Sequence, residues 1–437
     1  MKQSKYNIFY NTDKGGHILF NTLYGEIFQL NDDTRKAIVE NAFNNIDEKF
    51  LENCIDKKVI ISDDVDEEAM INHYHYIQKY SSIALNLTVL LTLKCNLDCP
   101  YCFEDKTNGA DLTIEYANRI IKFVEEKFKA ANFKFLNIAL FGGEPLVNFN
   151  VGEYLLKEVK QLSEKYNFKL TTSIITNGIL LDDAKIKVLS QYNCRSIQIT
   201  LDGDKEEHNK RRVYRNKKGT FDEVIKAIKR VQAASELPNP AIRINVDKTN
   251  KASVYSLIDY LKENNLTDCV IDFGIIRSES EINSHISSNC YLEDEICELL
   301  FELFSYADKC GFKLNIRPNG RLVYCGLNME NDYTILPDCT MTKCWEFVAN
   351  KEHFYGNIDE NGKLKVNDKY YSWMNKNPCT ISECKECTYM PVCAGGCSIT
   401  SYNRNGKYAS PGCFKSKSLL DFQVKFFLKN QYNINIV

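Results

Sequence analysis

No long apolar run occurs in this 437-residue chain. The longest, Ile83–Leu93, is interrupted by Asn86 and two threonines and is far too short to cross a bilayer. The first residues, Met1–Asn11, are polar and lack the apolar centre of a secretion signal. Charge of one sign does not accumulate either. Lys and Arg number 55 against 58 Asp and Glu, a net −3, so no global field points to nucleic acid or to a membrane surface. These absences predict a cytoplasmic protein with neither kind of partner. The hydrophobic and charged fractions, 44% and 26%, are those of a globular chain, and its length suggests two to four domains.

Cysteine is what the chain has in excess, 18 in all. In a reducing compartment such a density reads as metal ligands before disulfides. Cys95-Asn-Leu-Asp-Cys99-Pro-Tyr-Cys102 places three thiols in eight residues, directly after the apolar run 87–93. Three close thiolates suit a soft metal centre and would leave one iron of a [4Fe–4S] cubane without a protein ligand. A zinc knuckle or an electron-transfer cluster wants a fourth ligand nearby, and no Cys or His follows before Cys194. A second group is Cys384-x2-Cys387-x5-Cys393-x3-Cys397, then Cys413, with Cys325, Cys339, Cys344 and Cys379 upstream. That ladder reads as iron–sulfur or zinc, with Gly395-Gly396 letting the chain turn tightly around a cluster. Cys54, Cys194, Cys269, Cys290, Cys297 and Cys310 read as buried structural thiols.

Periodicity predicts an α/β fold. Strand-like runs at Ala84–Thr92, Lys134–Phe141, Lys169–Thr176, Ser196–Leu201, Ala241–Val246 and Cys269–Ile276 alternate with helical patterns. The helical stretches are Thr113–Ala131, Tyr154–Tyr166, Asp182–Tyr192, Thr220–Ala234, Ser253–Asn264 and Tyr291–Cys310. Six β/α units imply a parallel sheet, short of a closed eight-fold barrel, with ligands at the carboxyl ends of the strands. Those ends carry Phe141-Gly-Gly-Glu-Pro145, Thr176-Asn-Gly178 and Thr200-Leu-Asp-Gly203. Gly142 and Gly143 would let backbone approach a ligand, with exposed carbonyls and Glu144 open to an ammonium group. The basic stretch His208–Arg215 with Lys217 and Lys218 reads mostly as a solvated loop, from which one arginine could clamp a carboxylate. Residues 1–80 read as a separate module of three strands and two helices, suited either to strand-addition binding of a peptide or to simple packing on the core. From about residue 315 the alternation stops, and Ser416 onward reads as a closing amphipathic helix.

Taken together, residues 84–415 resemble the radical S-adenosylmethionine (SAM) enzymes that carry a C-terminal SPASM domain. The resemblance implies a partial (β/α)6 barrel over 81–314 and a SPASM region over 315–437. It implies that Cys95, Cys99 and Cys102 hold the catalytic [4Fe–4S] cluster, whose open iron SAM chelates. Tyr101 takes the position that helps seat the adenine. Gly142, Gly143 and Glu144 match the motif for the SAM amino group, with Thr176 beside it. Asp202, His208 and Arg212 match a further motif in which Arg212 faces the SAM carboxylate. Cys384, Cys387, Cys393 and Cys413 match the distal auxiliary cluster, and Cys325, Cys344 and Cys397 the proximal one. Cys379 is expected as the fourth proximal ligand, with Cys339 or an open iron as alternatives, since Cys339 stands where the family has glycine. Enzymes that oxidise a sulfatase residue tend to have Asp after the cysteine matching Cys344, where this chain has Trp345 and Glu346.

Residues 1–80 resemble, more loosely, the winged-helix-like precursor-recognition domain of enzymes that modify ribosomally made peptides. The implied activity is that of a peptide maturase. A 5′-deoxyadenosyl radical takes hydrogen from a precursor held by its leader, and a cross-link forms, foremost a cysteine thioether of the sactipeptide or ranthipeptide type. Carbon–carbon cross-linking, epimerisation and formylglycine-type oxidation are the alternatives, and a non-catalytic zinc or iron–sulfur protein is a distant one. Three [4Fe–4S] clusters, SAM, and an electron donor such as flavodoxin or ferredoxin complete the expectation.

Overall fold

The computed structural model describes residues 1–104, 109–278 and 281–437. Six parallel strands lie in sequence order: Ala84–Thr92, Phe135–Gly142, Lys169–Thr176, Cys194–Thr200, Ala241–Val246 and Val270–Ile275. Leu85, Leu87, Val89 and Leu91 of the first strand point outward into the core shared with the helices. Asn86 and Thr88 alternate with them and face inward, so the concave side is polar. Helix Ile114–Ala130 starts at Thr113, whose side chain accepts the Tyr116 N–H at 3.2 Å. Its buried stripe is Ala117, Ile120, Phe123 and Val124. Ile114, the first residue of the helix, is exposed. Helix Phe221–Ala233 buries Phe221, Val224, Ile225, Ile228 and Val231 as the periodicity requires.

The sheet does not stop where the β/α alternation does. Asp332–Ile335 adds in parallel beside the first strand, in register Asp332↔Asn86 to Ile335↔Val89. Three antiparallel strands follow, Thr340–Thr342, Phe354–Ile358 and Leu364–Val366, making ten strands among the described residues. The edge expected to be open is thus covered by the cysteine-rich region.

At the N-terminus, Asn7–Asn11, His17–Asn21 and Ile27–Leu30 form a three-stranded antiparallel sheet. Helix Asp32–Val39 is capped by Asn31 and helix Glu48–Asp56 by Asp47, and Ile60–Ile61 pairs with Lys2–Gln3. Helix Glu67–Lys79 has no counterpart in the sequence reading. It is fastened to the cysteine-rich region: His75 Nδ1 donates to Leu322 O at 2.6 Å, Asn377 Nδ2 donates to Asn72 Oδ1 at 2.9 Å, and Lys385 pairs with Glu68 at 2.9 Å. The last helix, Ser416–Tyr432, packs on helix Ile296–Lys309 with Phe422 stacked on Phe304. Val437 N–H then bonds Asn11 O at 3.0 Å, closing that edge of the small sheet. No helix among the described residues is long and apolar enough to cross a membrane.

Candidate cluster and cofactor site

The first cysteine group sits on the loop leaving strand Ala84–Thr92, at the carboxyl end of the sheet. Thr92 anchors the loop base: its hydroxyl donates to Asp111 Oδ1 at 2.6 Å and accepts the Lys94 N–H at 2.9 Å. Cys95 Sγ accepts the Leu97 N–H at 3.4 Å, and its thiol lies within electrostatic reach of Cys99 and Cys102. Burial pushes the Cys95 thiol up to about 12, so thiolate there requires a cation or metal to take its charge.

Gly142 and Gly143 approach this loop and not a free space. A Cβ on Gly142, whose φ is +122°, would lie 2.2 Å from Thr92 O, and one on Gly143 would lie 2.5 Å from Lys94 O. Gly143 N–H bonds Thr92 O at 3.0 Å and Glu144 N–H bonds Lys94 O at 2.9 Å. The glycine pair therefore packs the second strand end onto the base of the cysteine loop, a different use from the ligand approach expected of it. Glu144 is fully buried. Its Oε1 accepts from Thr176 Oγ1 at 2.7 Å and Leu146 N–H at 3.0 Å, and its Oε2 accepts from Asn177 N–H at 2.7 Å. Burial raises its pKa against the pull of these donors. Asn177 continues to the loop, donating to Asn96 Oδ1 at 2.7 Å.

The fourth strand end supplies the opposite wall. The Tyr101 hydroxyl donates to Asp202 Oδ2 and accepts from Arg212 Nη1, while Asp202 Oδ1 accepts the Asn245 N–H at 3.2 Å. Arg211 lies over the Tyr101 ring, 5.2 Å from its centroid, and pairs with Asp247 at 2.9 Å. Burial works against the Arg212 charge, but Tyr101, Cys99 and Asp202 outweigh it and raise its pKa. The stretch read as a solvated loop is thus in part a helix, Lys205–Arg211, and His208, Arg211 and Arg212 are buried. The side chains of Lys217 and Lys218, 71% and 69% exposed, do stand in solvent. His208 Nε2 lies 3.1 Å from Thr220 Oγ1, so it braces the helix away from the cysteines.

Several polar atoms around the loop are buried with no hydrogen-bond partner among the described residues: Arg212 Nε, Arg211 Nη2, Asn96 Nδ2 and Glu104 Oε2. Donors and acceptors both remain unmet beside three thiols, which fits an amino-acid-bearing ligand on a thiolate-held cluster. Glu104, Asn177, Asn245 and Arg211 were not singled out from sequence. Asn177 lay within the quoted Thr176-Asn-Gly178, and the inward position of Asn245 is set by strand alternation.

In the cysteine-rich region, Cys325, Cys344 and Cys397 lie within electrostatic reach of one another, as do Cys384, Cys387, Cys393 and Cys413. The structure does not bring Cys379 or Cys339 to the first of these sets. Cys379 Sγ faces Glu68 O on helix Glu67–Lys79, in a cluster with Tyr6, Ile71 and Met390. Cys339 Sγ lies 3.4 Å from Tyr116 O, on the outer helix. Among the described residues no three His, Cys, Asp or Glu groups converge on a single-ion site.

A cavity of about 400 Å³ lies between the sheet and the cysteine-rich region. Asn86, Thr88, Asn137 and Ser173 on the concave sheet face it from one side, Cys325 and Trp345 from the other. Arg277, just past the sixth strand, meets the cysteine-rich region, with Nη1 3.6 Å from Cys397 Sγ and Nη2 on the Glu346 carboxylate.

Residues 89–237 match the Radical SAM superfamily. A GTP 3′,8-cyclase of Clostridium perfringens is 31% identical over 194 residues, 43% of this chain and 54% of its own. The chain thus spans about half the length of that relative. A structure of anSMEcpe with bound AdoMet and the Cp18Cys peptide aligns at TM-score 0.60 and 21% identity, covering 80% of this chain and 98% of that one. Streptococcus suis SuiB bound to precursor peptide SuiA aligns at TM-score 0.56 and 15% identity, covering 96% and 99%. At these identities the two structural likenesses are of fold. The stretch that matches the Radical SAM superfamily, residues 89–237, includes the cysteine loop and the Tyr101–Asp202–Arg212 wall.

Proposed function

We propose that the chain is a peptide maturase that installs a cross-link, foremost a cysteine thioether, in a ribosomally made precursor held through its leader. The observation that carries this is the set Cys325, Cys344 and Cys397, of which Cys325 lines a cavity against the sheet. Only three thiols gather in that set, with Cys379 turned away to Glu68 and Cys339 to Tyr116. A proximal cluster there would have room for a substrate thiolate.

With its cofactors bound, the site would supply a 5′-deoxyadenosyl radical able to take hydrogen from carbon. In this reading Cys95, Cys99 and Cys102 hold the SAM-binding cluster. The Glu144–Thr176–Asn177 group meets the SAM amine, and Arg212 uses its unmet Nε for the carboxylate. Tyr101 is clamped by Asp202 and Arg212, so its ring holds one position against the ligand. Asn86, Asn137 and Ser173 offer polar contacts to an extended peptide. Trp345 screens the space from water.

Leader binding is supported by the N-terminal sheet. One outer strand, Asn7–Asn11, is met at its Asn11 end by Val437, whereas Ile27–Leu30 has no strand partner on its outer edge among the described residues. A further cavity of about 650 Å³ opens beside it, lined by Tyr24, Ile27, Tyr74, Lys58 and Arg321. An extended segment could add to that edge. SuiB, whose fold this chain shares over 96% of its length, was solved with its precursor peptide. The 18 free cysteines suit a reducing cytoplasm, with flavodoxin or ferredoxin as electron source.

The test is co-expression with a small cysteine-containing precursor encoded beside the gene, followed by mass spectrometry. A loss of two hydrogens per cross-link with cysteine closed to alkylation is expected. The same mass loss with cysteine still alkylatable would move the assignment to carbon–carbon bonding, and an unmodified precursor would overturn it.

A further inference from the structure

Two lysines are buried where no carboxylate meets them. Lys376 is 2% exposed, and its Nζ donates to two neutral acceptors, Ser401 Oγ at 2.6 Å and Ser410 O at 3.0 Å. Lys79, also 2% exposed, ends helix Glu67–Lys79 and donates to the carbonyl oxygens of Met374 and Lys376. Among the described residues neither lysine forms an ion pair with Asp or Glu. Burying an ammonium group without an anion costs several kcal/mol or more, beyond what two neutral acceptors return. Such a group is expected to stand beside a negative charge.

The titratable groups within electrostatic reach of Lys376 are thiols, those of Cys397, Cys384, Cys393 and Cys325. They belong to both sets: Cys397 and Cys325 to the proximal, Cys384 and Cys393 to the distal. The lysine stem reaches them along the turn between Cys393 and Cys397. A Cβ on Gly395 would lie 3.3 Å from Lys376 Cε, so the absence of a side chain there leaves the stem its path. The backbone is held on either side. Asn377 Oδ1 accepts the Cys379 N–H at 2.8 Å and its Nδ2 donates to Asn72, while Lys79 grips the carbonyl of Lys376 itself. The ammonium is thus fixed between two groups of thiols by contacts from three parts of the chain.

We propose that Lys376 is the shared counter-cation of the two auxiliary clusters and sets their reduction potentials. This rests on the reading of those cysteines as cluster ligands. A thiolate-held cluster is anionic and gains a further negative charge on reduction, so a fixed neighbouring cation favours the reduced form and raises the potential. One lysine serving both clusters raises both together. Cys95, Cys99 and Cys102 lie on the loop leaving strand Ala84–Thr92, far in the chain from Lys376, so the SAM cluster serves as the internal reference.

The test is a redox titration followed by electron paramagnetic resonance on the fully reconstituted enzyme, without peptide. In Lys376→Met with full iron content, both auxiliary midpoints are expected to move to lower potential while that of the SAM cluster stays. Lys376→Arg is expected to return them toward wild type. Unmoved auxiliary midpoints in fully loaded K376M would overturn the proposal. Where K376M fails to load the clusters, loading by K376R shows that the charge is required, and failure of both variants overturns it in favour of shape. Because no peptide is present, failure of the maturase reading leaves this result untouched.

Discussion

Arg212 Nη1 donates to the Tyr101 hydroxyl at 2.6 Å, and that hydroxyl in turn donates to Asp202. The aromatic residue of the cysteine loop is thereby tied to the fourth strand end and to the start of the segment beyond helix Lys205–Arg211. Each of the three groups is buried enough that losing one leaves another unmet.

Tyr101→Phe removes only the shared hydroxyl. The expected result is SAM binding weaker by about tenfold, the order of one buried hydrogen bond left unmade, with cluster content unchanged. Equilibrium dialysis on the reconstituted enzyme measures it. Affinity equal to wild type would show that the clamp does not shape the site.

Cys344 and Cys379 can be separated by iron content. Cys344→Ser is expected to lose the proximal cluster. Cys379→Ser is expected to keep every cluster, because its thiol faces Glu68 O on helix Glu67–Lys79. Loss of one cluster's iron in C379S would restore it as a ligand.

Gly143→Ala is expected to fail at the cysteine loop alone. The added methyl would meet Lys94 O at 2.5 Å and Leu93 O at 2.9 Å, both main-chain atoms that cannot turn aside. Purified G143A should lack the SAM cluster's spectrum while keeping the auxiliary ones.

Replacing Cys95, Cys99 and Cys102 together by Ala is expected to abolish deoxyadenosine production while leader-peptide affinity, read by fluorescence anisotropy, stays within about twofold of wild type, since the proposed leader edge makes no contact with that loop. Deoxyadenosine formed by this variant would remove the loop from the chemistry.

His353 gives a pH signature. It stacks on Phe347 at 3.6 Å between ring centres, bonds the Tyr408 hydroxyl, and burial lowers its pKa from 6.5 to about 4. The folded state therefore binds fewer protons than the unfolded between these values. Its contribution is full above pH 6.5 and is lost as pH falls toward 4. The drop in melting temperature between pH 7 and pH 5 should be smaller in His353→Phe than in wild type, and an equal drop would clear His353 of any part in it.

Much of the sheet was legible in the sequence because strand and helix patterns there are long and regular. Ala84–Thr92, Lys169–Thr176 and Ala241–Val246 have the bounds that alternation gave them. Helix Glu67–Lys79 was not seen, since its buried set (Glu67, Ile71, His75 and Lys79) is mostly polar and is satisfied by distant carbonyls and side chains. Arg211 was hidden for a similar reason: a charge run reads as solvated unless its partner, here Asp247, is known to lie across the site, and Arg212 stood out only through the family resemblance. Cys379 shows the reverse limit. The family resemblance suggested it as a fourth ligand, with Cys339 or an open iron as alternatives, but a motif match carries no side-chain direction, and its thiol faces Glu68 O.

The pairing of Asp332–Ile335 with Asn86–Val89 joins segments some two hundred and fifty residues apart in the chain. During synthesis the parallel sheet and its first cysteine loop can form before any residue of that added strand has been made. The strand's arrival then positions Cys325 and Cys344, which flank it in sequence, over the concave face. Assembly consequently has a built-in chronology. If these cysteines are cluster ligands as proposed, the loop at Cys95–Cys102 would be available for iron early, whereas the proximal set would wait for the sheet to be completed.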